Sequence, residues 1–125
     1  MRGATIRGWG SALPDKVVTN RDLENTLDTT HDWIVERTGI HERRVGGSTS
    51  SLAIAAARRA MEAAGWGPDD VDLVILATTS PDQQVPATAS TVQHELGLSC
   101  GAFDLNAACS GFVYGLVAGH GFVDA

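Results

Sequence analysis

Gly101-Ala102-Phe103-Asp104-Leu105-Asn106-Ala107-Ala108-Cys109-Ser110-Gly111-Phe112 is the stretch that decides the fold. It predicts a short apolar strand, then a turn of small residues, then a helix. Cys109 falls where the strand gives way to the helix. There a thiol faces the unpaired N–H groups of the first helical turn and the positive end of the helix dipole. That setting favours the thiolate, the form that attacks a carbonyl carbon. A lone cysteine in an alanine-rich segment is more often a small buried hydrophobe. The strand, small turn and helix around Cys109 tip the reading to a nucleophile.

Upstream of this stretch, Thr88 to Leu96 predicts a helix with Ala89, Val92 and Leu96 on its buried face and Gly97 closing it. Before it, Val71-Asp72-Leu73-Val74-Ile75-Leu76-Ala77-Thr78 is a near-continuous apolar run, which reads as a central strand buried on both faces. Residues 79–87 form the loop at its carboxyl end, where ligands gather in open α/β sheets. Residues 51–64 are an alanine-rich helix that permits close packing, with Arg58 and Glu62 as an i,i+4 pair. Strand, helix, strand in this order favours a parallel α/β arrangement. Downstream, Gly111, Gly115 and Gly119 recur every fourth residue of the last helix, which suggests close contact with a neighbouring element.

The amino-terminal third is less regular. Residues 4–9 predict a first strand and residues 10–15, with Pro14, a turn. Asn20 is expected to cap a short helix carrying Asp22, Leu23, Glu24 and Leu27. Residues 28–39 predict a second helix, with Thr29 and Asp32 at the spacing of a loose capping box and Gly39 as its stop. Trp33 and Arg37 lie four apart and share a face. An aromatic plane beside a guanidinium suits a ligand with a flat base and phosphates. On spacing alone the commoner arrangement, a core Trp beside a solvated Arg, is preferred. Residues 40–45 predict an irregular strand.

The totals bound these readings. A chain of 125 residues, 43% hydrophobic and 19% charged, is long enough for one globular domain with a modest core. A net charge of −6 without a basic stripe argues against nucleic-acid binding. Cys100 and Cys109 match neither a CxxC nor a metal pattern, and His31, His41, His94 and His120 share no ligand spacing, so no metal site is read. No segment approaches a membrane span, and Arg2 and Arg7 flank no apolar run of a signal peptide. The expectation is a cytoplasmic protein that binds neither membrane nor nucleic acid.

Three stretches carry a resemblance. Asp28-Thr29 through Trp33-Ile34 and Arg37-Thr38-Gly39-Ile40 to Arg43 is one. Leu76-Ala77-Thr78-Thr79-Ser80 is another. Phe103-Asp104 to Ala107-Ala108-Cys109-Ser110-Gly111-Phe112 is the third. With them the chain resembles, along nearly its whole length, the N-terminal part of β-ketoacyl-acyl carrier protein synthase III, the initiating condensing enzyme of fatty acid synthesis. The resemblance implies an α/β, thiolase-like layered fold, with a mixed sheet and a buried central nucleophile helix. Residues 1–125 would be its N-terminal half-domain, stopping before the C-terminal half.

The resemblance also implies roles. Cys109 would accept the acyl group. Trp33 and Arg37 would hold the adenine and phosphate end of coenzyme A, with Thr29 beside them, and this turns the Trp–Arg pair from structural to functional. Val85 would reach across a homodimer to close the primer pocket, and its small size would admit a longer or branched primer. The substrates would be acyl-CoA and malonyl-acyl carrier protein, with no cofactor beyond the coenzyme A thioester. The His and Asn that stabilise the enolate in this family lie in its second half, so none of the four histidines here receives that role. The 125 residues alone are expected not to complete the condensation, to expose apolar surface and to be poorly soluble. Two other readings stay open: a polyketide starter condensing enzyme, and a non-catalytic interaction module on the same fold.

Overall fold

The computed structural model describes residues 3–125. Arg2, one of the two cations weighed above, lies outside the described residues. The chain divides into two compact units, one of Leu13–Gly47 and one of Ser48–Ala125 together with the start of the chain up to Ala12.

In the first unit, β1 (Lys16–Thr19) pairs antiparallel with β2 (Glu42–Val45), placing Lys16 opposite Val45 and Thr19 opposite Glu42. The β-branched run Val17-Val18-Thr19 favours this strand. Helix α1 (Asn20–Glu24) follows at once. Its cap is Thr19, not Asn20. The Thr19 hydroxyl accepts the Asp22 N–H at 3.2 Å, and the Asp22 carboxylate accepts the Thr19 N–H at 2.8 Å. Asn20 is instead fully buried. Its amide donates to the Ile40 carbonyl at 2.7 Å, and its oxygen accepts from Arg43 at 2.9 Å. Helix α2 (His31–Thr38) is capped by Thr30, one residue later than expected. Thr30 has the extended backbone a cap needs, and its hydroxyl accepts the Trp33 N–H at 3.2 Å. The Glu24 carboxylate takes the His31 N–H at 2.6 Å, so two of the helix's orphan donors are satisfied. Gly39 ends α2 in the left-handed region at φ +68°.

The second unit begins with a correction. Residues 4–9 form no strand. Their backbone lies on the alanine surface of α3 (Thr49–Ala64) and finds no ladder partner among the described residues. A methyl group at Gly8 would strike the Ala60 carbonyl and stand 2.8 Å from the Ala64 nitrogen. One at Gly10 would strike the Ala56 carbonyl and stand 2.7 Å from the Ala60 nitrogen. The two glycines and the alanine stripe therefore permit one another. Arg59 of α3 donates to the Ser11 carbonyl. Helix α3 starts two residues before the expected position because Ser48 and Ser51 form a reciprocal capping box. Arg58 donates to the Glu95 carbonyl at 3.1 Å, linking α3 to the end of the next helix.

After a 3-10 turn at Pro68–Asp70, β3 (Leu73–Ala77) and β4 (Gly101–Leu105) pair in parallel, Leu73 opposite Gly101 and Ala77 opposite Leu105, with α4 (Thr88–Glu95) in the crossover. The expected strand–helix–strand unit is present. The described strands form two ladders, one antiparallel and one parallel, where a single mixed sheet was expected. β3 is half-buried, not buried on both faces, because β4 is its one strand neighbour among the described residues. Ala89, Val92 and Leu98 form the most buried apolar cluster of this unit.

Helix α4 has no side-chain cap of its own, since its preceding residue is Ala87. Asp104 of β4 supplies one. Its carboxylate oxygens accept the N–H groups of Thr88 at 2.9 Å and Ala89 at 2.7 Å. Charge-assisted bonds of this kind are stronger than neutral ones, and the helix dipole adds to them. Helix α5 (Gly111–Asp124) turns Gly111, Gly115 and Gly119 toward β3, and its opposite face, including Phe112, Val113 and Val117, is exposed. The exposed apolar surface expected from the sequence is thus present.

Asp104→Ala is expected to lower the unfolding free energy by about 2–3 kcal/mol, read from urea denaturation. The glycine stripe of α5 has more room than its spacing suggested. A Cβ at Gly115 would meet the nearest side-chain atom, Ala77 Cβ, at 3.8 Å, an ordinary contact. Gly115→Ala is expected to raise stability by about 0.5–1 kcal/mol. An unchanged or lower urea midpoint would show that the glycine is needed for packing.

Candidate active site

The candidate residues fall in both units, and each group is described within its own. Thr29, Trp33 and Arg37 belong to the Leu13–Gly47 unit. Helix α2 places Trp33 and Arg37 one turn apart, with the Arg37 guanidinium carbon 5.0 Å from the centre of the Trp33 ring. This is cation–π distance. Trp33 is 53% exposed, so it is not the core tryptophan that spacing alone favoured. Trp33 and Thr29 line a cavity of about 420 Å³ with Leu23, Leu27 and Ile34. Thr29 Oγ1 is buried there without a hydrogen-bond partner. Buried hydroxyls normally find partners, because burying one unpaired costs free energy. Asp28 and Thr30 complete the lining, and the Arg37 guanidinium lies on the ring of its wall residue Trp33.

Cys109 lies in the second unit, in a 3-10 turn (Ala108–Ser110) directly before α5, and its side chain is free and exposed. Cys100 is half-buried. Ala108, the residue before the nucleophile candidate, has φ +48°. A left-handed conformation costs a non-glycine residue about 1–2 kcal/mol, and local bonds offset it. The Asn106 side-chain oxygen accepts the Ala108 N–H at 3.1 Å, and the Ala107 carbonyl accepts the Ser110 N–H at 3.0 Å. The sequence carried no sign of this conformation, since alanine is an unusual choice for it.

Val85 lies in the loop between β3 and α4 and is 85% exposed. The loop is held at both ends. The Thr78 N–H donates to the Leu105 carbonyl at 3.0 Å, and the Thr88 hydroxyl accepts the Asp82 N–H at 2.9 Å. The loop is also tied to the start of α3, where the Thr49 hydroxyl donates to the Ser80 carbonyl and the Ser50 N–H donates to the Asp82 carboxylate at 3.3 Å. The Ser50 side chain is the main cause that holds the Asp82 carboxyl below its usual 3.8, with smaller contributions from the Ser50 and Thr49 N–H groups and the Ser48 side chain, against a desolvation cost. Among the described residues no group of three His, Cys, Asp or Glu side chains is placed to hold a metal ion, and no helix is long and apolar enough to cross a membrane.

Sequence reasoning missed two residues that organise these sites. Asn20 looked like a cap and is a buried junction. Asp104 did carry a signal, being a lone carboxylate in the apolar run Ala102-Phe103-Asp104-Leu105, since a buried acid needs partners.

A carboxyl whose folded value is depressed contributes stability above its unfolded value and loses it as pH falls through the folded one. Asp82 is therefore expected to titrate below 3.8 by carbon-detected NMR. Ser50→Ala should move its midpoint back up toward that value, and an unmoved midpoint would count against the Ser50 contact.

No family model matches the chain. It is 49% identical over 124 residues to the β-ketoacyl-[acyl-carrier-protein] synthase III of Sinorhizobium medicae, covering 96% of this chain and 38% of that relative. The crystal structure of 3-oxoacyl-[acyl-carrier-protein] synthase III from Aquifex aeolicus superposes with a TM-score of 0.95 at 43% identity, covering 98% of this chain and 41% of that one. The priming β-ketosynthase of the R1128 polyketide biosynthetic pathway superposes with a TM-score of 0.91 at 36% identity, covering 95% of this chain and 37% of that one. The chain spans about two fifths of the length of these proteins.

Proposed function

Since the chain belongs to the β-ketoacyl-[acyl-carrier-protein] synthase III family and shares its thiolase-like α/β fold, we propose that it is the nucleophile-bearing part of an acyltransferase that starts fatty acid synthesis. The observation that carries this reading is the exposed Cys109 thiol in the strained turn between β4 and α5. In the first step the Cys109 thiolate attacks the carbonyl carbon of an acyl-CoA thioester. The sulfur–carbon bond to Cys109 forms, the bond to coenzyme A breaks, and coenzyme A leaves as a thiolate that takes up a proton. The Cys109 N–H supplies one donor to the oxyanion, a contribution of about 3 kcal/mol for a well-placed group. Malonyl-acyl carrier protein then loses carbon dioxide. Its enolate attacks the acyl-enzyme carbonyl, releasing the β-ketoacyl product and returning the Cys109 thiolate.

Trp33 and Arg37 hold the base and phosphates of coenzyme A in this reading, and Thr29 offers its unpaired hydroxyl to the same ligand. Ring stacking, a permanent cation and an unsatisfied buried hydroxyl support the assignment. Val85 reaches across the homodimer to bound the partner protomer's acyl primer, and a valine there leaves more space than an aromatic residue would. The enzyme works as a cytoplasmic homodimer with acyl-CoA and malonyl-acyl carrier protein as partners and needs no metal or further cofactor. The likeness to a priming β-ketosynthase of a polyketide pathway favours one second reading, in which the same Cys109 chemistry starts a polyketide.

The test is selective labelling. Iodoacetamide is expected to alkylate Cys109 much faster than Cys100, and acyl-CoA to acylate Cys109 in an enzyme that carries this chain at its relatives' length. Cys109→Ala should abolish acylation. Slow, equal labelling of both cysteines would support a non-catalytic module instead.

A further inference from the structure

Asn20 opens α1 and His31 opens α2. Each stands one turn ahead of a residue that lines the cavity beside Trp33: Leu23 follows Asn20 and Ile34 follows His31. Both α1 ties to the start of α2 meet at His31. The Asn20 amide lies 3.4 Å from its ring Nδ1 atom, and the Glu24 carboxylate accepts its backbone N–H at 2.6 Å. Asn20 also holds the chain just past the other end of α2. Its side-chain amide donates to the Ile40 carbonyl at 2.7 Å, and its backbone N–H donates to the His41 carbonyl at 3.2 Å. Its side-chain oxygen accepts from Arg43 of β2 at 2.9 Å. One fully buried side chain thus reaches both ends of the helix that carries Trp33 and Arg37. Water cannot stand in for its partners there. A buried polar group with all its partners met fixes one arrangement of the elements it joins.

We propose that Asn20 is a positioning residue for coenzyme A recognition: by tying α1 to both ends of α2 it sets the spacing of the cavity's two helical walls, and with it the place of the Trp33–Arg37 pair. This rests on the coenzyme A reading of that pair given above. Asn20 acts through His31 and Ile40 and touches no substrate. Its loss lets α2 shift against α1, which weakens the hold on the nucleotide end and leaves the thioester chemistry at Cys109 as it was. A misplaced binding group costs affinity for the part of the substrate it contacts, and a substrate without that part is indifferent to the change.

The experiment compares Asn20→Ala, His31→Leu and His31→Asn with the unaltered enzyme, all at the relatives' length. The readout is kcat/KM for acylation of Cys109 by acyl-CoA and by the same acyl group on pantetheine, which carries the thioester without the nucleotide. Asn20→Ala is expected to lower the acyl-CoA to acyl-pantetheine ratio by about tenfold, with the pantetheine value unchanged. A partly unfolded population lowers both values alike, so a merely structural role does not move the ratio. His31→Leu removes the acceptor at the start of α2 and should lower the ratio as well. His31→Asn puts a side-chain oxygen where the Nδ1 atom stood and should restore it. The Glu24 bond to the backbone N–H of residue 31 is untouched in all three variants. If Asn20→Ala fails to fold, the two His31 variants decide the matter. An unmoved ratio in Asn20→Ala and His31→Leu, or an equal loss for both substrates, would overturn the proposal and leave the coenzyme A reading standing. Trp33→Ala tests that reading directly: if it leaves the ratio unmoved, the reading falls and the proposal with it.

Discussion

One carboxylate on a strand, held against two backbone N–H groups at the start of a helix, governs the geometry of the Cys109 unit. Asp104 sits in an apolar run where an acid without partners would be costly. Thr88 and Ala89 sit at a helix start whose own cap position, Ala87, offers nothing. Each lack answers the other. The bonds fix α4 relative to β4, which pairs in parallel with β3. The α3 helix joins through Arg58 at one end and through Ser50 and Thr49 at the other.

The turn that bears Cys109 works on a different principle. It accepts an unfavourable alanine conformation and offsets it with bonds from Asn106 and Ala107. Backbone strain of this sort persists only where its surroundings over-determine it, and it gathers at functional sites. Its effect here is to end the strand abruptly and leave the sulfur exposed ahead of α5. The coenzyme-binding candidates in the other unit are simpler. One helix, with its cap shifted to Thr30, sets Trp33 and Arg37 a turn apart, and the loop before it contributes Thr29.

Much of this was legible in the residues. The parallel β3–α4–β4 unit, the alanine surface of α3 and the place of Cys109 follow from apolar runs, small-residue stripes and glycine stops, all of them local signals. What escaped was non-local or competitive. The strand expected at residues 4–9 has strand-like composition, yet a strand needs a partner, and α3 offered Gly8 and Gly10 a closer one. Asn20 and Thr19 compete for one cap, as Thr29 and Thr30 do for another, and the winner is set by long-range bonds to Ile40 and Arg43 in the first case. Spacing put Trp33 and Arg37 on one face but gave no measure of exposure, which is what separates a core pair from a surface pair.

The buried Asn20 carries one more implication for the chemistry of its neighbours. A guanidinium has only hydrogens to offer, so the Asn20 side chain must turn its oxygen to Arg43, and its nitrogen then faces both the Ile40 carbonyl and, at 3.4 Å, the Nδ1 atom of His31. An imidazole nitrogen that meets an amide N–H has to present its lone pair. The neutral ring is thereby committed to a single tautomer, with its hydrogen on Nε2, through a chain of polarity that begins at an arginine twelve positions further along the sequence.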